Sequence, residues 1–119
     1  MSSKYKIGYY YERKVVLYFR KQGWDAWRTP KSGTVIDVIA VKNIDGIPKV
    51  KLIQIKSTSQ ENFSFYSLPR EERAKLLELA HRYINNSHVD VELWVFFRKT
   101  RKKKVINIKD ILKTTNIGF

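Results

Sequence analysis

The chain has 119 residues, a formal net charge of +13, no cysteine and two histidines. That length suits one domain over residues 1–119, and the lack of cysteine excludes disulfides, thiolate metal sites and cysteine nucleophiles. No apolar run approaches the roughly 20 residues that cross a bilayer. The N-terminal MSSKYKIGYYYERK also lacks the apolar stretch of a signal peptide, so an intracellular protein is expected.

So large a positive charge draws in polyanions, nucleic acid first among them. A ribosomal protein, or a lysine-rich protein of a thermophile, would carry similar charge without any ligand facing it.

From about Gly8 to Gln22 the pattern predicts a helix that stops at Gly23. Val15, Val16 and Phe19 form its apolar stripe, and Glu12 falls on that same stripe. WDAWR reads as a short strand and TPKSG as a turn-rich segment. TVIDVIAVK and VKLIQIKS read as strands rich in β-branched residues, joined through Asp45-Gly46, a hairpin signal. Their largely apolar faces suggest central strands covered by helices on both sides.

QENFSFYSLP is a connector, with Ser67 as the expected N-cap and Pro69 in the first turn of a helix running to about Ile84. Leu76, Leu77, Ala80, Tyr83 and Ile84 are its expected buried stripe. VDVELWVFF, the basic hairpin KTRKKK and KVINI complete the strands, and Asn107 caps a short last helix. The predicted class is an α/β domain on a mixed sheet of about five strands flanked by helices.

Four polar residues fall where a core prefers carbon: Glu12, Asp37, Gln54 and Lys56. Asp37 shares an expected strand face with Val35, Ile39 and Val41. Gln54 and Lys56 share one face of the neighbouring strand. If the hairpin pairs these strands, Asp37 and Gln54 become neighbours across the ladder, and the first helix can bring Glu12 above them. Two acids, an amide and a lysine at the end of paired strands suit a hard cation such as Mg²⁺, which polarises a phosphodiester and acidifies water. The lysine can orient that water or balance transition-state charge.

Plainer roles are available to each residue. Asp37 could pair Lys56 in a salt bridge, and Glu12 could snorkel to water. Gln54 could bond backbone, and Lys56 could be solvated.

With this spacing GYYYERKVVLYFRKQGWDAWRTPKSG, then IDVIAVK, then LIQIKSTS resemble the archaeal-type Holliday junction resolvases of the PD-(D/E)XK nuclease superfamily. The resemblance covers at least the first half of the chain and implies a restriction-endonuclease-like fold. It further implies that Glu12 binds or orients a metal ion, Mg²⁺ with Mn²⁺ as substitute. Asp37 would be the central ligand, the Ile55 carbonyl and Gln54 further ligands, and Lys56 the lysine of the motif. Ser32 matches a serine near the scissile phosphate, although the stretch from Ser32 to Asp37 is shorter than in many relatives. Arg13, Arg28 and Lys31 fall at positions expected near the DNA backbone. Gln54 departs from the pattern, since relatives usually carry an acid there, and its neutral amide implies weaker metal affinity.

Six cations between 97 and 104, namely Arg98, Lys99, Arg101, Lys102, Lys103 and Lys104, crowd the predicted hairpin. Lys4, Lys6 and Tyr9 to Tyr11 add a basic and aromatic entry to the first helix. Such contacts position a phosphate backbone without reading sequence; a solvated hairpin is the alternative. A junction offers two equivalent strands, so the resemblance implies a homodimer that nicks four-way junction DNA symmetrically, in an archaeal cell or a virus-infected archaeal host. Trp24, Trp27, Trp94 and Phe119 are candidate interface aromatics, each also a candidate core residue. Two other functions stay open: a nuclease of the same fold for other DNA structures, and a junction-binding protein without catalysis.

Overall fold

A computed structural model describes residues 2–30 and 34–115, the side chains of residues 2–5 and 115 excepted. Lys31, Ser32 and Phe119, together with the Lys4 side chain, therefore lie outside the described residues.

The element order is α1 (Ser2–Lys21), β1 (Asp25–Arg28), β2 (Val38–Ile44), β3 (Ile47–Thr58), a 3-10 turn (Phe65–Ser67), α2 (Arg70–Arg82), β4 (Val89–Phe97), β5 (Lys102–Asn107) and α3 (Ile108–Thr115). The strands form one sheet in sequence order. Only β3 and β4 run parallel; the other three pairings are antiparallel. The mixed α/β class expected from the sequence is the one found.

Each face of the sheet carries its own apolar layer. Val15, Val16 and Phe19 of α1 pack on Val38, Ala40, Ile53, Ile55, Trp94 and Phe96. Leu76 and Ala80 of α2 and Ile108 of α3 pack on Val91, Leu93 and Val95 on the other side. Because side chains alternate along β3, Ile53 and Ile55 face α1, whereas Gln54 and Lys56 face α2. The first helix therefore lies over the opposite face from Gln54 and Lys56, not above them.

Several local expectations shift. Helix α1 begins at Ser2, because Gly8 inside a helix costs only about 1 kcal/mol and does not break it. Gly23 ends it with φ 87°, and its N–H bonds Arg20 O at 3.0 Å. The β2–β3 turn is Asp45-Gly46 with φ of 54° and 82°, the left-handed pair that a two-residue hairpin demands.

Strand β2 starts at Val38 rather than at Thr34, leaving Asp37 at its threshold. Ser67 does not cap α2, since its hydroxyl accepts the Ser64 N–H at 3.1 Å inside the preceding turn. Pro69 takes the N-cap position instead, and α2 ends at Arg82 rather than Ile84. The fifth strand begins at Lys102 rather than Lys104, so Lys102 and Lys103, expected in the hairpin alone, belong to the strand. Asn107 does cap α3, accepting the Lys109 N–H at 3.0 Å.

Candidate active site

The site forms where β2 gives out beside β3. Asp37 is clamped by its own backbone: its N–H bonds Ile53 O at 2.8 Å, and its carbonyl accepts the Thr29 N–H at 2.9 Å. The Thr29 hydroxyl also bonds Ile36 O. With the backbone fixed on both sides, Asp37 Oδ2 accepts the Ile55 N–H at 2.8 Å and serves as the acceptor that a longer β2 would have supplied. In an extended strand the N–H and C=O of one residue leave on the same side, so the Ile55 carbonyl is turned toward the Asp37 edge as well.

Burial raises the Asp37 carboxyl from 3.8 to about 6. The Ile55 N–H opposes that rise, Glu12 adds to it, Lys56 opposes it and Glu72 adds to it. A carboxylate in this state is short of positive charge.

Glu12 comes from α1 on the other side of the sheet and meets Arg28 at the end of β1, Oε1 to Nε 2.8 Å. The Arg28 guanidinium also lies 4.3 Å from the Tyr9 ring centroid. Arg28 was expected near the DNA backbone; here its charge fixes the Glu12 carboxylate at the rim of the cleft. Its register partner, Val38, directly follows Asp37. The Glu12 carboxylate thus reaches the Asp37 neighbourhood around the end of the short strand.

Gln54 and Lys56 both meet a residue that sequence inspection did not single out. Glu72, in the first turn of α2, takes Gln54 Nε2 at 2.9 Å and Lys56 Nζ at 2.9 Å on the same oxygen. A direct Asp37–Lys56 salt bridge is not among the ion pairs of the described residues. Gln54 is only 3% exposed, and its Oε1 has no hydrogen-bond partner among the described residues. The amide cannot be turned over to cure this, since that would set Oε1 against the Glu72 carboxylate.

Glu12, Asp37, Gln54, Ile55, Lys56 and Glu72 line one cleft of about 430 Å³, with Thr34, Val35 and Lys75 at its edge. Among the described residues no three acidic or histidine side chains are already gathered at cation-binding spacing. The donor set nevertheless fits a hard cation in chemical type. It holds a desolvated carboxylate, an amide oxygen without a donor and further carboxylates, and hard divalent ions bind these groups through oxygen.

The basic hairpin adjoins the same end of β3. Arg98 N–H bonds Thr58 O at 2.9 Å, and Arg98 Nη1 donates to Ser57 Oγ at 3.2 Å. The tip therefore sits one or two residues beyond Lys56. Lys103 lies against Tyr18 and Trp94, 4.3 and 4.8 Å from the ring centroids, on the α1 side of the strand. A groove of about 380 Å³ runs between this hairpin and α1, lined by Tyr10, Tyr11, Lys14, Phe96, Arg98 and Arg101 among others. Arg13, Lys99, Lys102 and Lys104 are exposed.

Of the tyrosines, Tyr11 stacks on Phe96 at 4.7 Å, while Tyr9 and Tyr10 are exposed. Trp94 is a core residue, Trp24 packs at the margin of the core, and Trp27 is exposed.

A mixed sheet covered on both faces, with an acid at the end of one strand beside a Gln-x-Lys pair on the next, has the layout of a restriction-endonuclease-like fold. Residues 3–119 match the model of the archaeal Holliday junction resolvase (Hjc) family, and the chain belongs to that family. Membership makes it an endonuclease of the junction-resolving kind. A solved structure of Archaeoglobus fulgidus Hjc, a Holliday junction resolvase from an archaeal hyperthermophile, shares its fold. The TM-score is 0.61 at 15% identity, over 86% of this chain and 78% of that one. No curated protein matches the chain. Among the described residues no helix is long and apolar enough to cross a membrane.

Proposed function

We propose that this resolvase hydrolyses phosphodiesters with Mg²⁺, or Mn²⁺ in its place, and that a homodimer introduces paired symmetric nicks into four-way junctions. The observation that carries the proposal is the Asp37 carboxylate, half-buried, backbone-clamped and sharing one cleft with the orphaned Gln54 Oε1. Asp37, Gln54 Oε1, the Ile55 carbonyl and Glu12 would hold the ion. When bound, the ion supplies Lewis-acid polarisation of the scissile phosphate and a more acidic water.

The remaining work falls to the protein. Lys56, on the strand face that lines the cleft, is placed to orient a water or to balance charge on the phosphate in the transition state. Arg28 keeps Glu12 aimed at the rim. The hairpin cations adjoin the cleft and hold phosphates, which fixes the DNA without reading its sequence. Two copies, one for each strand to be cut, match the symmetry of the substrate.

Incubating a synthetic four-way junction and a linear duplex of the same sequence with Mg²⁺ tests the proposal. Paired nicks across the branch point in the junction alone are expected. Equal cutting of plain duplex or flaps would favour a nuclease of other specificity, and tight binding without cutting would favour a catalytically silent junction binder.

The hairpin contribution is separable. Replacing Lys102 and Lys104 with alanine is expected to weaken junction binding alike for different sequences. The slope of log K against log salt should fall by about 0.9 for each phosphate that is no longer neutralised. Fluorescence anisotropy titrations at several salt concentrations read both quantities.

A further inference from the structure

We propose that Glu72 of α2 donates to the active-site cation the carboxylate that Gln54 lacks. The inference rests on the metal-dependent reading above and adds to it a residue outside the strand pair.

Glu72 stands on the buried stripe of α2, four and eight residues before Leu76 and Ala80, which are fully buried. That stripe turns its carboxylate into the cleft. Its side chain is 26% exposed, against 84% for the adjacent Glu71, which faces solvent and pairs loosely with Lys75 at 3.7 Å. One oxygen, Oε1, receives both Gln54 Nε2 and Lys56 Nζ. Both groups belong to the motif strand, so the carboxylate stands directly over the position where a strand acid would project.

The second and independent observation is Gln54 Oε1. Bonding Nε2 to Glu72 fixes the amide, and the oxygen is left buried and without a donor. An orphan acceptor of this kind is destabilising unless something electropositive meets it. A divalent cation taking that oxygen would be held beside the Glu72 carboxylate as well. The pair then delivers what a single glutamate delivers elsewhere, an oxygen at the strand position and a negative charge beside it. Glutamine and Glu72 are complementary: a glutamate at position 54 would lose the Nε2 donor and press two carboxylates together.

Mn²⁺ binding to the full-length protein, read without DNA by electron paramagnetic resonance and calorimetry, tests this. Glu72→Gln is expected to weaken Mn²⁺ binding by about 10- to 100-fold, the range seen when a metal site loses a supporting group. Glu71→Gln should leave binding unchanged. Restoring an acid in Gln54→Glu/Glu72→Gln should recover the affinity.

A Glu72 that merely positions Gln54 and Lys56 would behave differently in a Gln54→Ala/Lys56→Met background, where both of its partners are gone. Glu72→Gln should still weaken Mn²⁺ there if the carboxylate meets the ion itself. Unchanged affinity for Glu72→Gln in the wild-type background, an effect that vanishes in the stripped background, or no Mn²⁺ binding by the wild type would each overturn the proposal. Asp37→Asn separates the two levels: if it abolishes Mn²⁺ binding while Glu72→Gln does not, only the role of Glu72 fails.

Discussion

Asp37→Asn is expected to abolish junction cleavage and, at the same time, to stabilise the metal-free protein. Loss of a preorganised charged group at a reaction centre lowers rates by roughly 10²–10³ or more. The stability gain follows from the native carboxyl standing at about 6 against 3.8 in the unfolded chain. Below about pH 3 the group is largely protonated in both states and imposes little penalty. As pH rises through about 6 the unfolded chain releases its proton first, so the native state loses stability over that window. At about 1.4 kcal/mol per pH unit the loss is about 3 kcal/mol.

Asparagine keeps an acceptor for the Ile55 N–H and carries no charge. The variant should therefore match the wild type at about pH 3 and exceed it by about 3 kcal/mol well above pH 6. Millimolar Mg²⁺ should close much of that gap by stabilising the wild type alone. Urea unfolding at several pH values, with EDTA and with Mg²⁺, reads the whole pattern. A less stable Asp37→Asn at about pH 7.5 in EDTA would contradict it.

Lys56→Met is expected to separate chemistry from binding. The side chain contributes a single charge at the cleft wall, while the hairpin offers many. Cleavage should fall about 10²- to 10³-fold, and junction affinity should change by no more than about threefold. Glu72 would lose one of its two donors but keep Gln54 Nε2, so the fold should survive. Single-turnover cleavage at saturating protein, paired with anisotropy binding, gives both values. A parallel collapse of binding and cleavage would move Lys56 from the chemistry to the DNA surface.

Most of the architecture was legible because its signals are local. The Val15–Val16–Phe19 stripe, the Asp45-Gly46 turn and the β-branched runs each belong to one element, and each element formed. The boundaries moved where a competing local bond won. Ser67 spent its hydroxyl on Ser64, and the lysines of the hairpin extended β5 because β4 offered them ladder partners.

The candidate site was half visible. Asp37, Gln54 and Lys56 announced themselves as polar residues on apolar strands, and Glu12 as an acid on an apolar stripe. Which helix would cover each sheet face was not visible, because that depends on tertiary packing and not on alternation along a strand. Glu72 escaped notice for a different reason. Acids in the first turn of a helix are stabilised by its dipole, so EE in REERAKLLELAHR reads as ordinary helix chemistry. The same stripe test that singled out Glu12 would have separated Glu72, in phase with Leu76 and Ala80, from Glu71, which is not.

The proposed chemistry stands on one convergence: oxygen donors from α1, the end of β2 and β3 would serve a single ion. Anomalous diffraction from a crystal soaked in Mn²⁺ measures this directly. The expected peak lies about 2.1 Å from an Asp37 oxygen and from Gln54 Oε1, with the Asp37 side chain still in the cleft. A fully occupied Mn²⁺ site elsewhere, with Asp37 bonded only to Ile55 N–H and Gln54 Oε1 still without a partner, would contradict the account.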